Sequence, residues 1–264
     1  MAPEHQARKR FGQNFLVDGQ VVHMIVNAIN PRKDEHIVEI GPGLGVLTQE
    51  LLPEVKQLDV VELDRDLIPK LEATYLPLGN FAIHSADALK FDFCALAQKG
   101  EKLRIVGNLP YNISTPLMFK LLEQSQCIYD MHFMLQKEVV DRIVAPAGTS
   151  NYGRLSVMLQ LYCHVTSLFH VPPSAFSPQP KVNSAVIRLV PYDTLPVDVK
   201  DIEQFSGVVS RAFAHRRKTL RNNLREVFSL EDFEQLNIDP SRRAETLSLD
   251  EFASIANYIH QQQT

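Results

Sequence analysis

Val38-Glu-Ile-Gly-Pro-Gly-Leu-Gly45 is an apolar run that stops at three glycines, and Val46-Leu-Thr-Gln-Glu-Leu-Leu52 follows it at once with helical spacing. Glycines at a strand-to-helix turn permit positive φ and let backbone approach a ligand closely, while the helix start behind them offers free N–H groups. This is a nucleotide-type loop. A dinucleotide fingerprint needs G-x-G-x-x-G, and Val46 stands where the third glycine belongs, which weakens a pyrophosphate reading. Outward from this loop, β-branched and apolar runs at 36–41, 58–63, 81–84, 103–107, 131–136, 165–171 and 185–190 alternate with amphipathic stretches. That alternation predicts an α/β domain around a mostly parallel sheet. Asp18 is the expected N-cap of the first helix, and Thr115 is expected to start the helix after the fourth run, with Pro116 at its first position. Pro191-Tyr-Asp-Thr-Leu-Pro196 has two prolines and no periodicity, and beyond it only helical patterns persist. We therefore expect a principal domain at residues 1–194 and a small all-α domain at 195–264.

The chain has 264 residues, 45% hydrophobic and 22% charged. Such values exclude disorder, collagen-like repeats and coiled coil. A net charge of −4 argues against a globally basic nucleic-acid wrapper. Positive charge is instead gathered in patches. Arg211, Arg216, Arg217, Lys218, Arg221 and Arg225 follow one another with no acidic residue between them, although residues 197–264 hold 9 Lys/Arg against 11 Asp/Glu. Arg216, Arg217 and Arg221 are expected along one helix flank, and Arg8-Lys9-Arg10 forms a second patch. Cys94, Cys127 and Cys163 are odd in number and form no CxxC or Cys/His cluster, so reduced core thiols are expected, with neither a disulfide framework nor a zinc site. No apolar run approaches the roughly 18 residues of a membrane span, and no apolar region follows the basic start, so a cytoplasmic chain is expected. In Gly148-Thr-Ser-Asn-Tyr-Gly-Arg154, a structural role is expected for Tyr152 and Arg154.

Candidate chemistry sits where the strands end. Glu62 closes the second run 21 residues after Gly41, where a carboxylate accepts hydrogen bonds from ribose hydroxyls. Asp87 follows the third run, placed to accept from an adenine amino group. With the glycine loop, these describe an adenosine-containing ligand that needs no pyrophosphate, and S-adenosylmethionine fits that description. The fourth run ends Asn108-Leu-Pro-Tyr111. An exocyclic aromatic amine is a poor nucleophile because its lone pair is conjugated into the ring. If the Asn108 oxygen and a backbone carbonyl of Leu109 or Pro110 accept both N–H bonds, the nitrogen is held pyramidal with its lone pair aimed at a methyl donor. Tyr111 then stacks on the base. Positive charge moves rather than separates in such a transfer, so a neutral Asn suffices.

Taken with Arg10-Phe-Gly-Gln-Asn-Phe-Leu16, Glu39-Ile-Gly-Pro-Gly-Leu-Gly45 and Phe176-Ser-Pro-Gln-Pro-Lys-Val-Asn-Ser184, these motifs give the chain a resemblance to the KsgA-type ribosomal RNA adenine N6,N6-dimethyltransferases that runs nearly end to end. The resemblance implies a Rossmann-like S-adenosylmethionine-dependent methyltransferase sheet with a small helical C-terminal domain. It implies cofactor contacts from Gln13, Asn14, Leu16, Gly41, Gly43, Glu62, Asp87 and Asn108, with S-adenosylhomocysteine as product and no metal. It implies that Phe176 opposes Tyr111 across a flipped adenine, aromatic faces replacing the stacking lost when the base leaves its helix. The implied substrate is two adjacent adenosines in a hairpin near the 3′ end of 16S ribosomal RNA on an assembling small subunit, held in part by Arg216, Arg217, Lys218 and Arg221. A monomer with no membrane partner is expected. Alternatives to be weighed are a 23S-directed methyltransferase of the resistance type, a non-catalytic RNA-binding assembly factor and a small-molecule N-methyltransferase.

Overall fold

The computed structural model describes residues 14–110 and 112–263. The strands are β1 (Phe15–Leu16), β2 (His36–Ile40), β3 (Gln57–Glu62), β4 (Phe81–Ser85), β5 (Leu103–Asn108), β6 (Ile128–Gln136), β7 (Cys163–Val171), β8 (Phe176–Ser177) and β9 (Ser184–Pro191). The helices are α1 (Gly19–Ile29), α2 (Val46–Leu51), α3 (Ile68–Tyr75), α4 (Ser114–Leu122), α5 (Lys137–Ile143), α6 (Arg154–Tyr162), α7 (Ile202–Ala212), α8 (Leu220–Leu224), α9 (Leu230–Gln235) and α10 (Leu249–Gln263).

One sheet runs β4-β3-β2-β5-β6-β9-β7. β2 lies parallel to both β3 and β5, β4 parallel to β3, β6 parallel to β5, and β9 antiparallel to β6. The chain builds outward from β2 to β4, then returns to place β5 on the other side of β2. Ligands of open α/β sheets bind outside the carboxyl ends of the strands at such a reversal. Helices cover both faces, so β2 is buried at every residue and reads as a continuous run rather than an alternating one. Ile37, Val38 and Ile105 are fully buried, each contributing about 1.5–3 kcal/mol by area removed from water.

Asp18 caps α1 as its sequence predicts, accepting from Gln20 N at 2.9 Å and Val21 N at 3.3 Å. α4 starts two residues earlier than expected, at Ser114, with Pro116 in its third position rather than its first. The first four N–H groups of a helix have no intrahelical partner, so proline is tolerated there as well. A short antiparallel ribbon pairs Phe15 with Ser177 and Leu16 with Phe176. Beside it, Val17 N and Asp18 N both donate to Ala175 O, at 2.9 and 3.3 Å.

Cys94 and Cys127 are joined in a disulfide, with Cα atoms 5.5 Å apart, which corrects the expectation of three reduced thiols. Spacing along the chain gave no hint of it, because the pairing depends on a fold contact made by Gln124. The Gln124 side chain accepts from Phe93 N at 2.7 Å and Cys94 N at 3.2 Å and donates to Phe91 O at 3.1 Å, drawing the two segments together. Cys163 is free and buried, its thiol pushed up to about 12 by burial.

The chain divides into two compact units, residues up to Val140 with Thr166–Pro191, and Asp141–Val165 with Tyr192–Thr264. The break after Pro191 lies near the expected linker, while 141–165 joins the helical unit. The buried residues of α6 and α7, Val157, Leu159 and Leu161 with Phe205, Val208 and Val209, share that unit's interior. Tyr152 is buried there with its ring 6.2 Å from that of Phe213, which in turn lies 5.8 Å from Phe252.

Candidate active site

A cavity of about 350 Å³ opens at the carboxyl ends of β2, β3, β4 and β5. Its floor is the glycine turn. Gly43 has φ +58°, and a Cβ there would come within 3.1 Å of the Phe15 ring. Gly45 has φ +83°, and a Cβ there would meet the Tyr75 hydroxyl at 2.8 Å. Both positions demand glycine, for left-handed backbone and for space.

Two buried carboxylates face this cavity. Glu62 receives Asp64 N on Oε1 at 2.7 Å and Gly43 N on Oε2 at 3.4 Å. Burial raises its pKa, and these backbone donors only partly offset the rise. Glu39 is 2% exposed and accepts the Thr48 hydroxyl at 2.6 Å. Burial, with the neighbouring charge of Glu62, pushes it up to about 7 despite that hydrogen bond. Asp87 holds its own turn through Leu89 N at 3.0 Å on Oδ1. Asn108 ends β5, and its Nδ2 donates to Asn14 O at 3.0 Å, which leaves Oδ1 as the acceptor. Pro110 O accepts from Ile113 N at 3.2 Å, closing the turn that follows.

Of the residues singled out in the sequence, Asn14, Leu16, Gly41, Gly43, Glu62, Asp87, Asn108, Leu109 and Pro110 all line this one cavity. Gln13 and Tyr111 lie outside the described residues. Phe176 is 3% exposed, packs in the core with Leu16 and is not itself among the residues that line the cavity. Its visible role is to hold the ribbon that carries Asn14 to Asn108. The motif reading assigns no role to Glu39; its signal is a carboxylate inside a buried strand.

The helical unit carries the basic cluster. Arg216, Arg217 and Lys218 lie in the loop between α7 and α8, and Arg221 lies on α8, so the expected single helix flank is corrected. α7 stops at Ala212, and Asn223 Nδ2 donates to Ala212 O at 2.7 Å and His215 O at 3.1 Å, fixing the loop that follows. Arg216 pairs with Glu245 at 3.3 Å and donates to Ser150 O. Arg217, Lys218 and Arg221 are exposed.

The ribosomal RNA adenine dimethylase family model matches residues 4–261. The chain belongs to that family. It is 54% identical over 255 residues to the ribosomal RNA small subunit methyltransferase A of Marinomonas sp. (strain MWYL1), covering 97% of this chain and 96% of the relative. It is 56% identical to that of Thiobacillus denitrificans (strain ATCC 25259 / T1), covering 97% and 98%. Among solved structures, a dimethyladenosine transferase from Plasmodium falciparum superposes with TM-score 0.81 at 26% identity, covering 94% of this chain and 98% of the other. The 23S rRNA methyltransferase ErmE shares the fold, with TM-score 0.72 at 23% identity and coverage of 94% and 100%.

The protein is thus an rRNA adenine dimethyltransferase that uses S-adenosylmethionine. The cavity of this dimethyltransferase fits that cofactor on its own chemistry. A glycine turn admits close approach, buried carboxylates complement hydroxyl and cationic groups, and the cavity volume lies within the range of small-ligand sites. Among the described residues no group of three or more His, Cys, Asp or Glu is placed to hold a metal ion.

Proposed function

We propose that the dimethyltransferase acts on N6 of two adjacent adenosines in a hairpin near the 3′ end of 16S ribosomal RNA, on an assembling small subunit. The small-subunit relatives, matched over nearly their whole length, support the choice of RNA. The observation that carries the chemistry is the Asn108 amide. With its nitrogen spent on Asn14 O, Oδ1 is the atom available to a substrate amine.

The cofactor supplies an electrophilic methyl group on a cationic sulfur. Glu62 receives the ribose hydroxyls, Asp87 the adenine amino group, and Gly41, Gly43, Asn14, Leu16 and Gln13 enclose the methionine end. Asn108 Oδ1 and Leu109 O accept the two N–H bonds of the target amine, Pro110 O being engaged with Ile113 N. Held in this way the nitrogen is pyramidal and its lone pair is directed into the cavity. Transfer would form the nitrogen–methyl bond as the sulfur–methyl bond breaks, the sulfur leaving as the neutral thioether; the neutral acceptors would stabilise the positive charge gained by the nitrogen, and its proton would leave to solvent afterwards. Tyr111 stacks on the flipped base, and Phe176 keeps the 14–16 segment in register with β8. Arg216, Arg217, Lys218 and Arg221 neutralise RNA phosphates from the helical unit. The enzyme works as a monomer in the cytoplasm.

The test is transfer of labelled methyl groups from S-adenosylmethionine to under-methylated small subunits, naked 16S RNA, 23S RNA and a panel of small amines, with the product nucleoside identified. N6,N6-dimethyladenosine in the small subunit is the expected result. Label confined to 23S RNA or to small amines refutes the proposed substrate.

A further inference from the structure

The bond between Cys94 and Cys127 closes a loop of chain, and residues 95–126 inside it carry β5, the Asn108–Pro110 turn and all of α4. Both acceptors proposed for the target amine, Asn108 and Leu109, are therefore enclosed by it. Outside the loop, Cys94 follows Asp87 by seven residues, and Ala86, Asp87 and Ala88 line the cavity. The bond thus ties the β4 side of the cavity to its β5 side.

The two cysteines are brought together by contacts that do not depend on the covalent bond. Gln124, whose side chain holds Phe91, Phe93 and Cys94, also accepts Cys127 N on its backbone oxygen at 3.2 Å. Phe93 is fully buried, its ring centroid 5.1 Å from that of Phe91. Cutting the bond leaves these anchors in place, so the two thiols stay within reach of each other. Cys127 is buried, whereas Cys94 is half-buried and its sulfur accepts from Nε2 of exposed Gln126 at 3.4 Å. An incoming thiolate therefore meets Cys94 first. Cysteines held ready to re-pair, with one of them toward solvent, suit exchange better than permanent stapling. In the cytoplasm proposed above, disulfides are rare, and those that form are mostly transient and redox-sensing.

We propose that Cys94 and Cys127 form a reversible redox clasp on the cofactor cavity. A dithiol attacks Cys94 as its thiolate, making a mixed disulfide and releasing Cys127 as a thiolate that takes up a proton. The second sulfur of the dithiol then displaces Cys94, so two cysteine thiols appear as the dithiol becomes a disulfide. Exchange with a small disulfide closes the bond again and yields two small thiols. Opening removes the loop closure, the segments around Asp87 and Asn108 sample more conformations, and a smaller fraction of the protein presents a formed cavity. The proposal rests on the reading of this cavity as the cofactor site in a cytoplasmic enzyme.

The test compares the wild type, treated with oxidised glutathione or with dithiothreitol, and the double variant Cys94→Ala with Cys127→Ala. Native alkylation with mass spectrometry reads the thiols, and buried Cys163 serves as an internal gauge of unfolding. Dithiothreitol is expected to expose Cys94 and Cys127 to label while Cys163 stays protected, and oxidised glutathione to reverse this. Calorimetry should find S-adenosylmethionine bound about threefold more weakly by the reduced protein. Amide exchange around Asp87 and Asn108 should quicken, and the melting temperature should fall by about 5 °C or more. The double variant should match the reduced protein and ignore dithiothreitol. Equal cofactor affinity in the two states overturns the proposal and makes the bond a staple. So does labelling of Cys163 along with the pair, since reduction then requires unfolding. A pair that oxidised glutathione cannot close overturns it as well. A protein that binds no S-adenosylmethionine in either state counts against the cofactor reading, and amide exchange then decides the clasp, equal rates in both states overturning it.

Discussion

Glu39→Gln isolates the cost of one buried charge. In the free protein the Glu39 carboxyl is moved from 4.5 to about 7, chiefly by burial. At about 1.36 kcal/mol per pH unit, the ionised form is disfavoured by roughly 3 kcal/mol. Because the folded pKa lies above the unfolded one, the stability carried by the neutral carboxyl is fully present below about 4.5 and is lost as pH rises through about 7. Glutamine keeps the shape and an oxygen for the Thr48 hydroxyl, and it does not titrate. In urea unfolding, the variant should match the wild type near the acid end of the native range and exceed it by up to roughly 3 kcal/mol well above neutrality. Other titrating groups are common to both proteins and cancel in the difference. Saturating S-adenosylmethionine, which carries a sulfonium charge, should narrow the gap more than S-adenosylhomocysteine, which does not. A variant that is destabilised equally at both ends of the pH range would refute the reasoning, since packing rather than ionisation would then set the role of Glu39.

Asn108→Ala is expected to keep cofactor affinity and lose turnover by about 5–150-fold, the worth of one hydrogen-bond acceptor at roughly 1–3 kcal/mol; wild-type turnover in single-turnover assays removes Asn108 from the chemistry. Glu62→Ala should weaken S-adenosylmethionine binding about tenfold or more by calorimetry, with unchanged affinity contradicting a ribose contact. Neutralising Arg216, Arg217 and Arg221 together should lower the salt slope of RNA binding by about two to three, the lower figure if Arg216 stays engaged with Glu245; an unchanged slope makes the cluster a solvated surface. Burial alone would lower the His36 pKa, but Asp59 at 2.6 Å and Glu101 at 3.3 Å outweigh it and raise the value above 6.5. Its contribution is then full below about 6.5 and is lost as pH rises through the folded value, so His36→Gln should lower the melting temperature more in mild acid than in mild base.

Each of the seven apolar runs marked in the sequence corresponds to a strand of the large sheet, with ends differing by three residues or fewer. The reason is physical. The central strands, covered on both faces, are mostly apolar, and the partly exposed edge strands β4 and β7 keep enough apolar and β-branched residues to be read as strands. The cavity was legible for a related reason, since Gly41, Gly43, Glu62, Asp87 and Asn108 are polar or glycine residues placed where apolar runs end, and a parallel sheet gathers all such ends on one edge. What escaped was short or non-local. The ribbon of β1 and β8 has two residues in each strand and joins Leu16 to Phe176. No periodicity exists over such lengths, so the ribbon cannot be read from the sequence pattern. The Cys94–Cys127 bond and the loop holding Arg216 depend on single side chains, Gln124 and Asn223, whose partners are 31 and 11 residues away.

Ionisable residues inside the strands carry little signal of their role, because each interrupts a pattern of apolar runs. Glu39, Arg104, Asp130 and His132 are all buried, yet they persist for different reasons. Desolvating an ion in such a place is costly unless a partner compensates. Asp130 has two guanidinium partners and Arg104 has two carboxylates and two carbonyls, so both charges are matched within the fold. His132 avoids the problem by staying neutral, burial pushing it down to about 4. Glu39 does neither. Its hydrogen-bonding partner is a neutral hydroxyl, a second carboxylate faces the same space, and the remaining side is open cavity. A buried carboxyl left short of positive charge beside a hollow is balanced when a cation enters. The fold thus leaves the free enzyme electrostatically incomplete at the place proposed here for the cationic methyl donor.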